Sequence, residues 1–195
     1  MAGDTVESAG DQAQRLFLAV EVPLAAVDVV SGAVRPWRES FPTARWIPPE
    51  NWHVTLKFLG RTAAHLTPWV GETVGAIAGA HPSATLQVHG LGAFPSTQRA
   101  RVLWAGIDDL AGVLTGLVAD LETGLAEAFR PEMRRFHPHL TLARSEPPLR
   151  LPEPYADTSL ESGSFVVDRV VLFRSHLQGR GSPKYEALRT FALEG

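Results

Sequence analysis

The chain has 195 residues, a formal net charge of −3 and no cysteine. That length suits one domain, and that composition excludes disulfides, thiolate metal sites and thiol nucleophiles. The charge also argues against broad, non-specific duplex binding, which needs many neutralised phosphates.

Hydrophobic residues make up 45% of the chain, enough for a sizeable core. No run approaches the ~20 apolar residues that span a bilayer. The N-terminus is polar and lacks the apolar segment of a signal peptide. Residues 1–13 are expected to form a disordered tail and 14–195 a single domain, in a cytoplasmic, reducing setting.

In chain order, RLFLAVEV (15–22) is apolar and alternating, which predicts a strand. Pro23 then opens a helix with Leu24, Val27, Val30 and Val34 on one face, and Pro36 is expected to end or bend it. RWIPPEN (45–51) is a loop by its paired prolines. WHVTLKFL (52–59) predicts a strand whose strict alternation sends His53, Thr55 and Lys57 one way and Trp52, Val54, Leu56 and Phe58 the other. A helix follows, with Leu66, Trp69, Val70 and Ile77 at helical spacing. TLQVHGLGAF (85–94) and RVLWAGI (101–107) predict strands around a loop at Pro95. A long helix is expected over 109–129, with Leu110, Val113, Leu114, Leu117, Val118, Leu121 and Leu125 as one stripe. HLTLA (139–143) is again a strand. SFVVDRVVLFRSHL (164–177) predicts one long strand, QGRGSP a turn, and KYEALRTFAL (184–193) the last strand.

Two short words recur in this order, 86 residues apart: His53-Val54-Thr55-Leu56 and His139-Leu140-Thr141-Leu142. One His-x-Thr in a strand is weak evidence, because threonine favours strands. Two copies in equivalent contexts, each backed by apolar residues, carry much more. Each word presents an imidazole and a hydroxyl on one face. Two such words around one cleft suit in-line displacement at phosphorus. One imidazole acts as base and the other as acid, while the hydroxyls donate to the non-bridging oxygens.

The longer blocks around these words resemble the two-histidine (2H) phosphoesterases, and specifically the RNA 2′,3′-cyclic phosphodiesterases once called 2′-5′ RNA ligases. RLFLAVEVP is similar to that family's opening strand, RWIPPENWHVTLKFLG to its first motif block, FHPHLTLAR to its second, and VVLFRSHLQGRGSPKYEAL to its closing strand pair. The resemblance implies an α+β, bilobal fold: two antiparallel-rich sheets with flanking helices, a pseudo-two-fold axis and a central cleft within a single catalytic domain. It implies that His53 and His139 are the catalytic pair, with His53 as proton donor to the leaving 3′ oxygen and His139 as the base. It makes Thr55, Thr141 and Arg144 substrate-binding residues. Strict alternation would aim Arg144 off the His/Thr face, and the first word carries Lys57 where the second block has an arginine.

The activity so implied is hydrolysis of RNA 2′,3′-cyclic phosphate ends to 2′-phosphates, without cofactor or metal, by a monomer with no membrane partner. Reversal would join RNA ends through a 2′-5′ bond. Two alternatives are a related 2H enzyme acting on a small cyclic nucleotide or 2′-5′ oligonucleotide, and an RNA-end binding module without turnover.

The remaining features weigh less. His137 shares parity with His139, but neither word contains a carboxylate to complete a metal site. His65, His81, His89 and His176 are expected at the surface or in caps. Trp46, Phe136 and Tyr185 are candidates to stack on a base. Arginines in 130–150 (Arg130, Arg134, Arg135, Arg144, Arg150) and basic residues in 169–189 (Arg169, Arg174, Arg180, Lys184, Arg189) could form a basic rim. No P-loop motif is present.

Overall fold

The computed structural model describes residues 13–176 and 182–194. The expected tail lies outside the described residues except for Ala13, and so do Gln178, Gly179, Arg180 and Gly181 of the expected turn.

Gln14–Glu21 forms β1, with Leu16, Leu18 and Val20 in the core. Leu24–Ser40 forms α1, which buries Ala26, Val30 and Val34. Leu24, grouped above on one face with Val27, Val30 and Val34, is 80% exposed. Pro36 lies inside α1 and does not end it; the helix loses one N–H there and runs one further turn. Arg45–Trp46 is a short β2 and His53–Thr62 is β3. Thr67–Ala78 is α2, Ala84–Phe94 is β4 and Ala100–Asp108 is β5.

The third helix, α3, spans Val113–Gly124 rather than 109–129. Asp109 accounts for the late start. Its carboxylate accepts hydrogen bonds from the N–H groups of Leu114 (3.3 Å) and Thr115 (3.0 Å), and Gly112 turns the chain at φ 69°. Leu110 is left at the tip of that turn, 90% exposed and outside the stripe. Leu125 and Phe129 remain buried although the helix has already unwound into turns.

His139–Leu149 is β6. The segment expected as one long strand divides at Asp168 into β7 (Phe165–Val167) and β8 (Arg169–His176), and Lys184–Ala192 is β9. The division has a topological cause: β7 pairs with β4 whereas β8 pairs with β1 and β9.

The expected pair of separate sheets is not what forms. One nine-stranded sheet runs β7-β4-β5-β6-β3-β1-β8-β9, with β2 attached to β6. Its strand pairings are antiparallel, and β6 and β3 meet at the centre through the single register pair Val54↔Leu140. The helices cover one face. Residues of α1, α2 and α3 join Leu18, Val54, Leu56, Leu140 and Leu142 in one contiguous core. The opposite face is left for other use.

Bulges decide which side chains reach that open face. Against β1, Lys57 pairs with Leu18 and Thr55 with Ala19, so Leu56 is an extra residue. Leu59 is a second extra residue, and the Gly60 beside it has φ 68°, a left-handed conformation suited to glycine. Against β5, Ala143 pairs with Leu103 and Thr141 with Trp104, so Leu142 is extra in β6. Each bulge resets the alternation of its strand.

Candidate active site

From their histidines onward, β3 and β6 follow the same burial sequence: half-buried, buried, half-buried, buried, buried, exposed. His53 and Thr55, like His139 and Thr141, are the half-buried residues on the open face. The Val54↔Leu140 pair is antiparallel. One step to either side therefore sets His53 across from Thr141 and Thr55 across from His139. The structure thus brings together the four residues of the two words, and neither threonine hydroxyl has a hydrogen-bond partner among the described residues.

The two imidazoles are held in the same way. His53 Nδ1 is 2.8 Å from the carbonyl of Asn51, and His139 Nδ1 is 2.6 Å from the carbonyl of His137. A carbonyl only accepts, so each Nδ1 carries a proton and each Nε2 is the nitrogen left for chemistry. The carbonyl in both cases belongs to the residue two positions before the histidine. His137 therefore serves through its backbone. Its ring packs against Trp104 (5.0 Å) and Phe94 (5.5 Å). Among the described residues no cluster of three or more His, Cys, Asp or Glu is placed to hold a metal ion.

The surroundings of the two rings differ. His53 sits among Phe17 (4.9 Å), Tyr185 (5.2 Å, edge-on) and Phe173 (6.2 Å). Burial lowers its pKa to about 4; the Asn51 carbonyl opposes this, and charge on His139 adds to it. His139 is flanked by Phe94 (5.1 Å) and Trp104 (6.4 Å). Burial lowers its pKa too, opposed by the His137 carbonyl and reinforced by His137 and Arg144. Both imidazoles are therefore neutral at pH 7.

Two sequence expectations change here, both because of the bulges. Lys57 does not share the His/Thr face. It is 3% exposed and its Nζ pairs with the Glu122 carboxylate on α3, beneath the sheet. Phe58 takes the open face instead, with its ring 6.2 Å from Phe17 and 69% exposed. Arg144 is likewise returned to the His/Thr face, close enough to His139 to depress its pKa. Counted from its histidine, Arg144 stands five residues along, and the residue five along from His53 is Phe58 rather than Lys57.

The structure also recruits residues that the words did not contain. Arg45 on β2 lies in register with Arg144. Both bear on Tyr185, whose phenol is raised by burial and drawn back by the two guanidiniums. Arg45 gave no signal in sequence, since a two-residue strand inside a proline-rich loop has no period. Of the three candidate stacking residues, Tyr185 borders the site. Trp46 donates its Nε1–H to the Phe41 carbonyl and sits under Arg38, and Phe136 packs on the core. His81, His89 and His176 pair with Asp120, Asp108 and Glu186. Much of the expected basic rim is similarly occupied: Arg134 pairs with Glu132, Arg169 with Asp168 and Arg174 with Glu186.

The LigT-like phosphoesterase family matches residues 25–104 and 107–185, one repeat around each histidine. The chain belongs to that family. A curated RNA 2′,3′-cyclic phosphodiesterase of Aeropyrum pernix is 35% identical over 71% of this chain and 80% of its own length. One of Geobacillus stearothermophilus is 31% identical over 92% of this chain, which spans 57% of that relative's length. Among solved structures, Escherichia coli LigT complexed with 3′-AMP superposes with a TM-score of 0.74 at 28% identity, over 93% of this chain and 99% of LigT.

Proposed function

We propose that this LigT-like chain hydrolyses RNA 2′,3′-cyclic phosphate ends to 2′-phosphates, with His53 and His139 as the catalytic pair and Thr55, Thr141 and Arg144 on the phosphate. The observation that carries this reading is the facing pair of His-x-Thr words with both Nε2 atoms left free. The curated relatives bear the same activity in their names.

His139 Nε2 takes a proton from water as its oxygen attacks phosphorus. The P–O3′ bond breaks, and His53 Nε2–H protonates the departing 3′ oxygen. The two threonine hydroxyls and Arg144 donate to the non-bridging oxygens, where negative charge gathers. Arg144 beside His139 disfavours an imidazolium there, which suits a base. His53 must gain its proton along with the substrate, whose anionic phosphate opposes the depression that burial causes. Because the two rings influence each other, their protons titrate as a pair. The same steps in reverse join RNA ends through a 2′-5′ bond.

The proposal extends to the architecture. The described chain from Gln14 onward is one catalytic domain of two pseudo-symmetric lobes, β7-β4-β5-β6 and β3-β1-β8-β9, that share the cleft. It works as a monomer in the cytoplasm; no helix among the described residues is long and apolar enough to cross a membrane.

The test is turnover of cyclic-phosphate mononucleotides and oligonucleotides, with the position of the product phosphate assigned and a parallel arm in EDTA. A 2′-phosphate product that forms equally well in EDTA is expected. A 3′-phosphate product would reverse the leaving oxygen, and loss in EDTA with rescue by a divalent ion would replace the metal-free mechanism.

A further inference from the structure

We infer that Arg15 and Arg61 form a second phosphate site, about 20 Å from the histidines, that receives the RNA chain on the 5′ side of its cyclic end. The inference rests on the activity proposed above and adds a substrate preference: an oligonucleotide over a mononucleotide.

Strand register places the pair. Arg15 on β1 lies directly across from Arg61 on β3, and Glu21 lies across from His53. Arg15 and Glu21 are six residues apart on β1, which at ~3.3 Å per residue gives the separation of about 20 Å. Both arginines share the face of the histidines. On β1, Leu16, Leu18 and Val20 enter the core, while Phe17 touches the His53 ring from the open side; Arg15 has the parity of Phe17. Arg61 faces the same way because directly opposed residues of an antiparallel pair do. The Leu59 bulge makes this possible, since without it Arg61 would pair out of phase with Phe58.

Two features of the pair point to an anion. Like charges directly opposed across a sheet are destabilising, and both side chains are exposed with no ion-pair or hydrogen-bond partner among the described residues. Between the pair and the histidines lies the exposed Phe58 ring. An aromatic surface leading to unneutralised cations is how proteins hold single-stranded nucleic acid without reading its sequence.

The chemistry of the substrate supplies the direction. A 2′,3′-cyclic phosphate closes the 3′ terminus, so every other phosphate of the strand lies on its 5′ side. A span of about 20 Å corresponds to roughly six nucleotides at the ~3.4 Å duplex spacing, and to fewer in a stretched strand.

The experiment compares the wild type with Arg15→Gln/Arg61→Gln and Arg15→Lys/Arg61→Lys on a cyclic-phosphate mononucleotide and on RNA octamers with the same end. Binding of a labelled octamer is followed against salt. The glutamine variant is expected to lose about 10-fold in kcat/KM on the octamer and to stay within about twofold on the mononucleotide. Its salt slope should fall by about 0.7 for each phosphate that is no longer neutralised. The lysine variant should keep most of the octamer activity, because lysine still neutralises a backbone phosphate. Equal losses on both substrates, or an unchanged octamer, would overturn the inference. A wild type that binds the octamer with the arginine-dependent slope but turns over neither substrate would uphold this site and overturn the proposed activity. A wild type that neither binds nor turns over the octamer would overturn both.

Discussion

The strands that carry His53 and His139 bulge at the same offset and hold their histidines by the same backbone hydrogen bond, yet they surround them differently. Both rings lie among aromatic side chains, His53 among Phe17, Phe173 and Tyr185 and His139 beside Phe94 and Trp104, but Arg144 acts on His139 whereas no guanidinium contributes to the shift of His53. Beneath the sheet the difference runs the other way. The bulge of β3 buries a charge, Lys57 on Glu122, where that of β6 buries only Ala143. A common backbone thus fixes where the two imidazoles sit, and the side chains at two positions of the bulge make their environments unequal. Unlike surroundings let the two histidines differ in proton affinity, which favours a fixed division of acid and base between them.

The largest way to break this comparison is to remove the rings. His53→Ala and His139→Ala are each expected to lose on the order of 10²–10⁴-fold in turnover, the usual worth of a positioned acid or base. His137→Ala should lose far less, because its carbonyl, which the substitution keeps, does the positioning. An activated aryl leaving group should largely restore His53→Ala and leave His139→Ala impaired, since an acid matters most when the leaving oxygen is poor. Rescue of His139→Ala instead would exchange the two roles.

Next comes the buried charge. Lys57→Met leaves the Glu122 carboxylate without its partner beneath the sheet, and breaking such a pair costs about 3–5 kcal/mol. Glu122 retains some solvent exposure, so the lower end is expected. Denaturant unfolding measures this, and Lys57→Met/Glu122→Leu should recover much of the loss. The Glu122 carboxylate also accepts from the Glu132 N–H at 2.9 Å, in the segment that leads to His139. If the double variant regained stability without turnover, that tie would matter to the site as well as to the fold.

Arg144→Gln sharpens the contrast at the open face. A hydrogen bond to a charged group contributes about 1.5–3 kcal/mol, so kcat/KM should fall by roughly 10- to 150-fold. Loss of the guanidinium also removes one cause of the depressed His139 pKa. That pKa rises, and the acidic limb of the pH–rate profile should move to higher pH. A loss in kcat/KM with an unmoved limb would separate Arg144 from His139 electrically.

The burial of His53 also makes stability depend on pH. The His53 pKa is about 4 in the folded chain against about 6.5 unfolded. The unfolded chain therefore binds the extra proton between these values. Stability from the neutral ring is fully present above pH 6.5 and declines as pH falls toward 4. Chemical unfolding of wild type and His53→Ala across that window should diverge in slope. Parallel curves would mean that the ring is better solvated than its aromatic neighbours suggest.

Local pattern carried much of this protein. The apolar run of β1, the stripe of α3 from Val113 to Leu121 and the recurrence of His-x-Thr-Leu are set by residues close in sequence, and a period of two or 3.6 reveals them. The face of each histidine was legible for the same reason, because His53 and Thr55 lie before the bulge.

Everything after the bulge depended on the partner strand. Alternation predicted Lys57 beside the histidines and Arg144 away from them. One extra residue opposite Leu18 and another opposite Leu103 reversed both. A bulge is a mismatch between two strands, so neither strand's sequence contains it alone. The division of β7 from β8 at Asp168 and the joining of both halves into one sheet through Val54 and Leu140 were likewise settled between distant segments. The sequence by itself determined which chemical groups were available and which strands carried them. The tertiary structure decided which of those groups meet, because register, burial and charge pairing are properties of contacts across the sheet rather than of the chain along its length.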